Sequence, residues 1–218
     1  MKIQKPELLK TILLDLPLIN IIGNSWRYGR KLLRGMANEG MYETLSYEST
    51  LELLDSKGKR ARFSKRKRVR YLQDNIIAYQ DYAWGDGEIL LNYRCTPGVA
   101  VDRYRLGYKT FVLISLQEVK NKGEVDEFNI DWDIKNGFIK DIGFWETDIT
   151  HRTRQIKAQV IFPKGRIPKQ LVIVESNWCR TTPLRSECTQ TLPDGRVKVT
   201  WYKKNPRLYE HYLLKWRW

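Results

Sequence analysis

From Met41 onward, apolar and polar residues alternate with a period of two in one short run after another, and no segment keeps a helical repeat beyond a turn or two. This constrains the fold most, because successive strand side chains point to opposite faces and a chain so patterned buries its core between sheets. Leu45, Tyr47, Leu51 and Leu53 alternate with Thr44, Ser46, Glu48, Thr50 and Glu52, the mark of a strand with one dry and one wet face. Asp55-Ser56-Lys57-Gly58 supplies a turn, and Lys59–Tyr71 returns as a second strand.

Further strands are expected at Asn75–Tyr82, Glu88–Cys95, Tyr108–Glu118, Glu124–Ile134, Arg152–Phe162, Lys169–Val174, Arg196–Tyr202 and Leu208–Trp218. Turn residues separate most of them, among them Gly85-Asp86-Gly87, Thr96-Pro97-Gly98, Asn121-Lys122-Gly123, Asn136-Gly137 and Pro193-Asp194-Gly195. Phe111–Leu116 is apolar on both faces and reads as a central strand. The expected fold is all-β, an antiparallel β-sandwich of about ten strands over residues 41–218. Residues 1–40 are expected to form a helical lead-in: Leu8, Leu9, Ile12, Leu13 and Leu16 follow Pro6, and a second helix expected from Ser25 to Met36 would carry Arg27, Arg30, Lys31 and Arg34 on one face.

Net charge is +14, distributed as +9 over residues 1–73, −6 over 74–150 and +11 over 151–218. The basic ends suggest a polarised surface that attracts polyanions. Nine of the fourteen residues Lys57–Arg70 are Lys or Arg and none is acidic. Strand parity puts Arg60, Arg62, Arg66, Arg68 and Arg70 on one face, with Lys65 and Lys67 on the other beside Ala61, Phe63, Val69 and Tyr71. The planar guanidinium fork suits phosphate oxygens. An ion-pair ladder is the competing account, with Glu52 opposite Arg62 and Glu48 opposite Arg66. A second basic set, Lys203, Lys204 and Arg207 with Arg196, Lys198, Lys215 and Arg217, is interleaved with aromatics. Tyr212, Leu214, Trp216 and Trp218 nonetheless share a parity with Leu208 that reads as a core-facing stripe.

Three cysteines, Cys95, Cys179 and Cys188, cannot all pair internally, which favours a reducing, cytoplasmic setting. Leu8–Ile22 carries Lys10, Asp15, Pro17 and Asn20, falls short of the ~20 apolar residues of a membrane span, and lacks a signal-peptide cleavage pattern. Asp131 and Asp133 do not continue into an EF-hand loop, since Asn136 and Ile142 stand where glycine and glutamate are needed. With Glu127 they form an acidic face expected to pair with basic strands or to meet a basic partner. Cys179 and Cys188 lack zinc spacing. Asp102 followed by Glu118-Val119-Lys120 resembles the acidic-residue and Glu-x-Lys pattern of restriction-endonuclease-like nucleases, in which carboxylates hold Mg²⁺.

These features together predict a non-enzymatic module without cofactor or metal that binds a polyanion, RNA or single-stranded DNA, through its phosphate backbone. The residues expected to make that contact are Arg60, Arg62, Lys65, Arg66, Lys67, Arg68, Arg70, Lys203, Lys204 and Arg207. The alternative is a protein-interaction or sensor module docking on an acidic protein surface, since the chain's texture is similar to accessory β-sandwich modules of bacterial signalling and defence systems. A metal-dependent nuclease is third.

Overall fold

The computed structural model describes residues 40–218, and its regular structure is nearly all β. The strands are β1 (Tyr42–Leu53), β2 (Arg60–Tyr71), β3 (Ile76–Ala83), β4 (Glu88–Thr96), β5 (Val99–Leu106), β6 (Lys109–Lys120) and β7 (Val125–Lys135). They continue as β8 (Ile142–Asp148), β9 (Gln155–Phe162), β10 (Gln170–Glu175), β11 (Arg180–Pro183), β12 (Thr189–Thr191), β13 (Val197–Lys204) and β14 (His211–Arg217). The expected helices at the N-terminus lie outside the described residues.

Three sheets carry these strands: seven in the order β12-β13-β9-β1-β2-β7-β4, four in the order β11-β10-β14-β8, and three in the order β3-β6-β5. The all-β expectation holds. Neighbouring strands pair antiparallel except β1 and β9, which run parallel with Leu51 beside Val160. Four strands escaped the sequence reading: β5, β8, β11 and β12. Every residue of β5, β11 and β12 is exposed, so no apolar alternation marks them. In β8 the buried set is Gly143, Trp145 and Thr147, only one of which is apolar and large.

Asp55 accepts hydrogen bonds from the backbone N–H groups of Lys57, Lys59 and Arg60 and so caps the β1–β2 turn. Gly58 sits there at φ +68°, where a Cβ would stand 1.9 Å from the Phe138 carbonyl oxygen, so only glycine fits. The register is the one the competing ion-pair account requires, with Glu52 opposite Arg62 and Glu48 opposite Arg66.

One core runs under all three sheets. The inner face of the large sheet presents Leu51 and Leu53 from β1, Phe128 and Ile130 from β7, Val160 and Phe162 from β9 and Val199 from β13, all nearly or fully buried. β3 of the small sheet packs on one part of this face, where Tyr79 stacks on Phe128 with ring centroids 4.0 Å apart. The four-stranded sheet packs on another, through Phe162 against Trp216 and Trp201 against Tyr212. Tyr212, Leu214 and Trp216 are buried, as the alternation of the last strand predicts.

Candidate functional site

β2 lies inside the large sheet between β1 and β7, and its alternating faces have opposite fates. On the outer face Arg62 meets Asp133 at 3.1 Å, Arg66 meets Glu48 at 3.1 Å and Glu127 at 4.0 Å, Arg70 meets Glu43 at 3.1 Å, and Arg60 approaches Asp55 at 3.9 Å. Arg68 stands between Ser46 of β1 and Glu127 of β7. Asp131 takes a bidentate fork from Arg94 of β4. The acidic face of β7 thus pairs with arginines of the strands on both sides, the first of the two expectations for it. Elsewhere Lys203 pairs with Glu175 at 2.9 Å, and the Arg207 guanidinium lies 4.0 Å from the centre of the Trp178 ring. Lys204 is exposed at the end of β13.

The inner face of β2 holds Lys65 and Lys67, which are turned away from any phosphate backbone on the sheet surface. Lys65 is buried and bonds to Asp81 of β3, whose other carboxylate oxygen accepts a hydrogen bond from Tyr93 at 3.0 Å. Lys67 has no hydrogen-bond or ion-pair partner among the described residues. Its ammonium lies 5.7 to 5.8 Å from the ring centres of Tyr42, Tyr47 and Tyr79. Burial and the neighbouring Lys65 charge pull its pKa down to about 8.

Both lysines line a cavity of about 110 Å³ at the place where the two smaller sheets meet over the large one. Its floor is Thr44, Tyr47, Leu51, Phe63, Trp132 and Ile134 from β1, β2 and β7; its other walls are Asp81 to Ala83 of β3 and Ile142 to Asp148 of β8, with His151 beyond. Among the described residues three buried polar atoms on this lining make no hydrogen bond: the Thr44 hydroxyl and the indole nitrogens of Trp132 and Trp145. His151, stacked 4.3 Å from Tyr42, is held neutral, its pKa lowered to about 4 by burial and by the Lys67 charge. Thr44 points inward because a bulge between Thr44 and Ser46 inserts Leu45 and shifts the parity of β1. Strict alternation therefore could not find it. Lys65 and Lys67 were legible as inward by parity, but not as members of a cavity.

The junction between the smaller sheets is polar. Asp148 of β8 accepts hydrogen bonds from Lys109 of β6 and from His211 of β14, the latter at 2.6 Å, while its backbone carbonyl accepts from Tyr82 at 3.1 Å. Glu146 accepts from the Trp84 indole and lies 3.2 Å from the other ring nitrogen of His211. Lys109 also faces the rings of Tyr82, Trp84 and Tyr108.

The nuclease-like residues do not assemble. Asp102 of β5 is paired beside Leu113 of β6, five positions before Glu118, which at ~3.3 Å per residue separates the two by about 16 Å. Lys120 bonds instead to Glu118 and Asp126. Among the described residues no group of three or more His, Cys, Asp or Glu side chains is placed to hold a metal ion.

No protein-family model matches the sequence. No curated protein matches it either. Among solved structures, the chain is similar to an M1 zinc metallopeptidase from Deinococcus radiodurans, at 9% identity and TM-score 0.45, over 79% of this chain and 42% of that one. A candidate protease from Parabacteroides distasonis ATCC 8503 is similar at 11% identity and TM-score 0.50, over 82% of this chain and 40% of that one. The chain spans about two fifths of the length of these structures, and at such identity the second likeness is one of fold alone.

The expectation of a nucleic-acid-binding module is therefore corrected. The arginine face of β2 is engaged largely by carboxylates of its own sheet, and its two lysines are turned into the interior. The same in-sheet pairing engages Arg62, Arg66 and Arg70, which a docking module for an acidic protein surface would have presented. The metal-dependent nuclease fails on the separation of Asp102 from Glu118. Among the described residues no helix is long and apolar enough to cross a membrane.

Proposed function

We propose that this β-domain is a non-enzymatic binding module that takes a small molecule into the cavity beneath β8. The observation that carries this reading is the set of buried, unpartnered polar atoms on the cavity lining, Thr44 Oγ1, Trp132 Nε1 and Trp145 Nε1. A buried donor left without an acceptor costs about 1–3 kcal/mol, and three around one cavity constitute a demand that a bound molecule satisfies. Aromatic walls with a few polar groups are also the usual make-up of a ligand site. The peptidase activities named for structures of similar fold form no part of this reading, because that likeness extends to the fold alone. Three free cysteines support a reducing, cytoplasmic setting for the module.

Titration of the ¹⁵N-labelled protein with a fragment library, followed by NMR, tests the proposal. Binders should shift the indole N–H resonances of Trp132 and Trp145 together, and filling the cavity by Thr44→Phe should abolish those shifts. Indole resonances that respond to no fragment would sink it.

A further inference from the structure

The polar groups around the cavity are unequally satisfied, and this inequality indicates the chemistry of the ligand. Every carboxylate on the lining is already engaged: Asp81 by Lys65 and Tyr93, Glu146 by Trp84 and His211, Asp148 by Lys109 and His211, and Asp86 by Lys140 at 2.7 Å. The unsatisfied groups are all able to donate. They are the Thr44 hydroxyl, the two indole N–H groups and the Lys67 ammonium. A lining whose carboxylates are all engaged and whose unsatisfied groups can all donate recognises an acceptor.

Charge narrows the choice. Lys65 has its counter-ion in Asp81, whereas Lys67, one pleat repeat along the same face of β2, makes no ion pair among the described residues and lies among the faces of Tyr42, Tyr47 and Tyr79, with the Asp81 charge, already taken by Lys65, acting on it from farther away. Aromatic faces offset part of the cost of holding a cation away from water and leave its hydrogen-bonding capacity unused. One unpaired cation calls for one negative charge, so a monoanion balances the site while a dianion would overcharge it. The remaining walls, Leu51, Phe63, Trp132, Ile134 and Phe144, are apolar and suit a hydrocarbon body. The volume, about 110 Å³, is comparable to the ~150 Å³ cavity that admits benzene. We infer that the cavity binds a small monocarboxylate with an aromatic or short aliphatic body, its carboxylate docked on Lys67 and its body against Phe63 and Trp132. This rests on the cavity being a ligand site and adds the ligand's class.

The test uses the full chain and matched pairs: benzoate, phenylacetate and hexanoate, each beside its primary amide, titrated by NMR. The acids should bind at least about tenfold more tightly than their amides. Lys67→Met, which keeps the length of the side chain and removes a buried charge, should bring the acids down to the affinity of the amides and leave the amides unchanged. Lys67→Gln provides the same comparison if the Met variant folds poorly. Acids and amides that bind alike, or acid binding untouched in both variants, would overturn the carboxylate inference and leave the cavity standing as a site for neutral molecules. If neither acids nor amides bind and no fragment perturbs Trp132 or Trp145, the cavity reading itself fails and this inference with it.

Discussion

At the scale of single residues, Lys65 and Asp81 set the stakes of the interior. Each ion taken out of water costs several kcal/mol, and their mutual attraction offsets this only because the geometry is close and Tyr93 occupies the remaining carboxylate oxygen. Removing one charge leaves the other stranded. Asp81→Asn should therefore destabilise the protein by about 3–5 kcal/mol in urea denaturation. The double replacement Lys65→Met with Asp81→Leu should cost markedly less, since both desolvation penalties disappear with the charges. An Asp81→Asn loss below about 1 kcal/mol would mean that water, and not Asp81, satisfies Lys65.

Strands impose a different economy on their two faces. On the outer face of β2, Arg62 and Arg66 are about half exposed, and their pairs with Asp133 and Glu48 are bathed in high-dielectric solvent. Such pairs contribute ~0–1 kcal/mol each, so Arg62→Ala and Arg66→Ala should each move the urea midpoint only slightly, with the slope unchanged. β14 presents the reverse case. Trp216 is 1% exposed, its ring packs against Phe162, and a Cβ added at Gly143 of the neighbouring strand would stand 2.5 Å from its six-membered ring. Trp216→Ala should cost about 3–5 kcal/mol, and Gly143→Ala about 1–3 kcal/mol through overpacking, both read from thermal and urea unfolding. Near-native stability in Gly143→Ala would show that β8 yields where the packing says it cannot. The contrast between β2 and β14 was legible in the sequence, because strand parity separates an arginine face from an aromatic stripe without knowledge of any partner strand.

For the whole molecule, the junction of the smaller sheets couples assembly to pH. His211 lies between Asp148 and Glu146, whose hydrogen bonds raise its pKa to about 9, and Asp148 is held low in turn by His211 and Lys109. A histidine whose folded pKa exceeds its unfolded value of ~6.5 contributes stability that is complete below pH ~6.5 and lost as pH rises through about 9. Lys67 titrates over an overlapping range in the opposite sense, so the wild-type profile alone does not isolate the junction. The difference between wild type and His211→Gln does. It should be large at pH 6 and shrink steadily towards pH 9.5, measured as unfolding free energy at each pH. A difference independent of pH would show that the imidazole is neutral in the fold.

The sequence by itself determined that the described chain is β throughout, where most strands lie, how β1 and β2 pair, and which face of β2 is wet. Those properties follow from period two and from turn residues, which act over a few neighbours along the chain. It did not determine the parallel pairing of β1 with β9, the division into three sheets or the strands β5 and β8, because these depend on residues far apart in the sequence or on segments without apolar alternation. The cavity belongs to the same class. Lys67 reads as one more lysine in a basic run until β3 and β8 close over it, and Thr44 faces inward only through the bulge at Leu45. Formal charge is a property of the sequence, but whether a cation meets solvent, a carboxylate or an unfilled cavity is decided by the partners that tertiary structure brings to it.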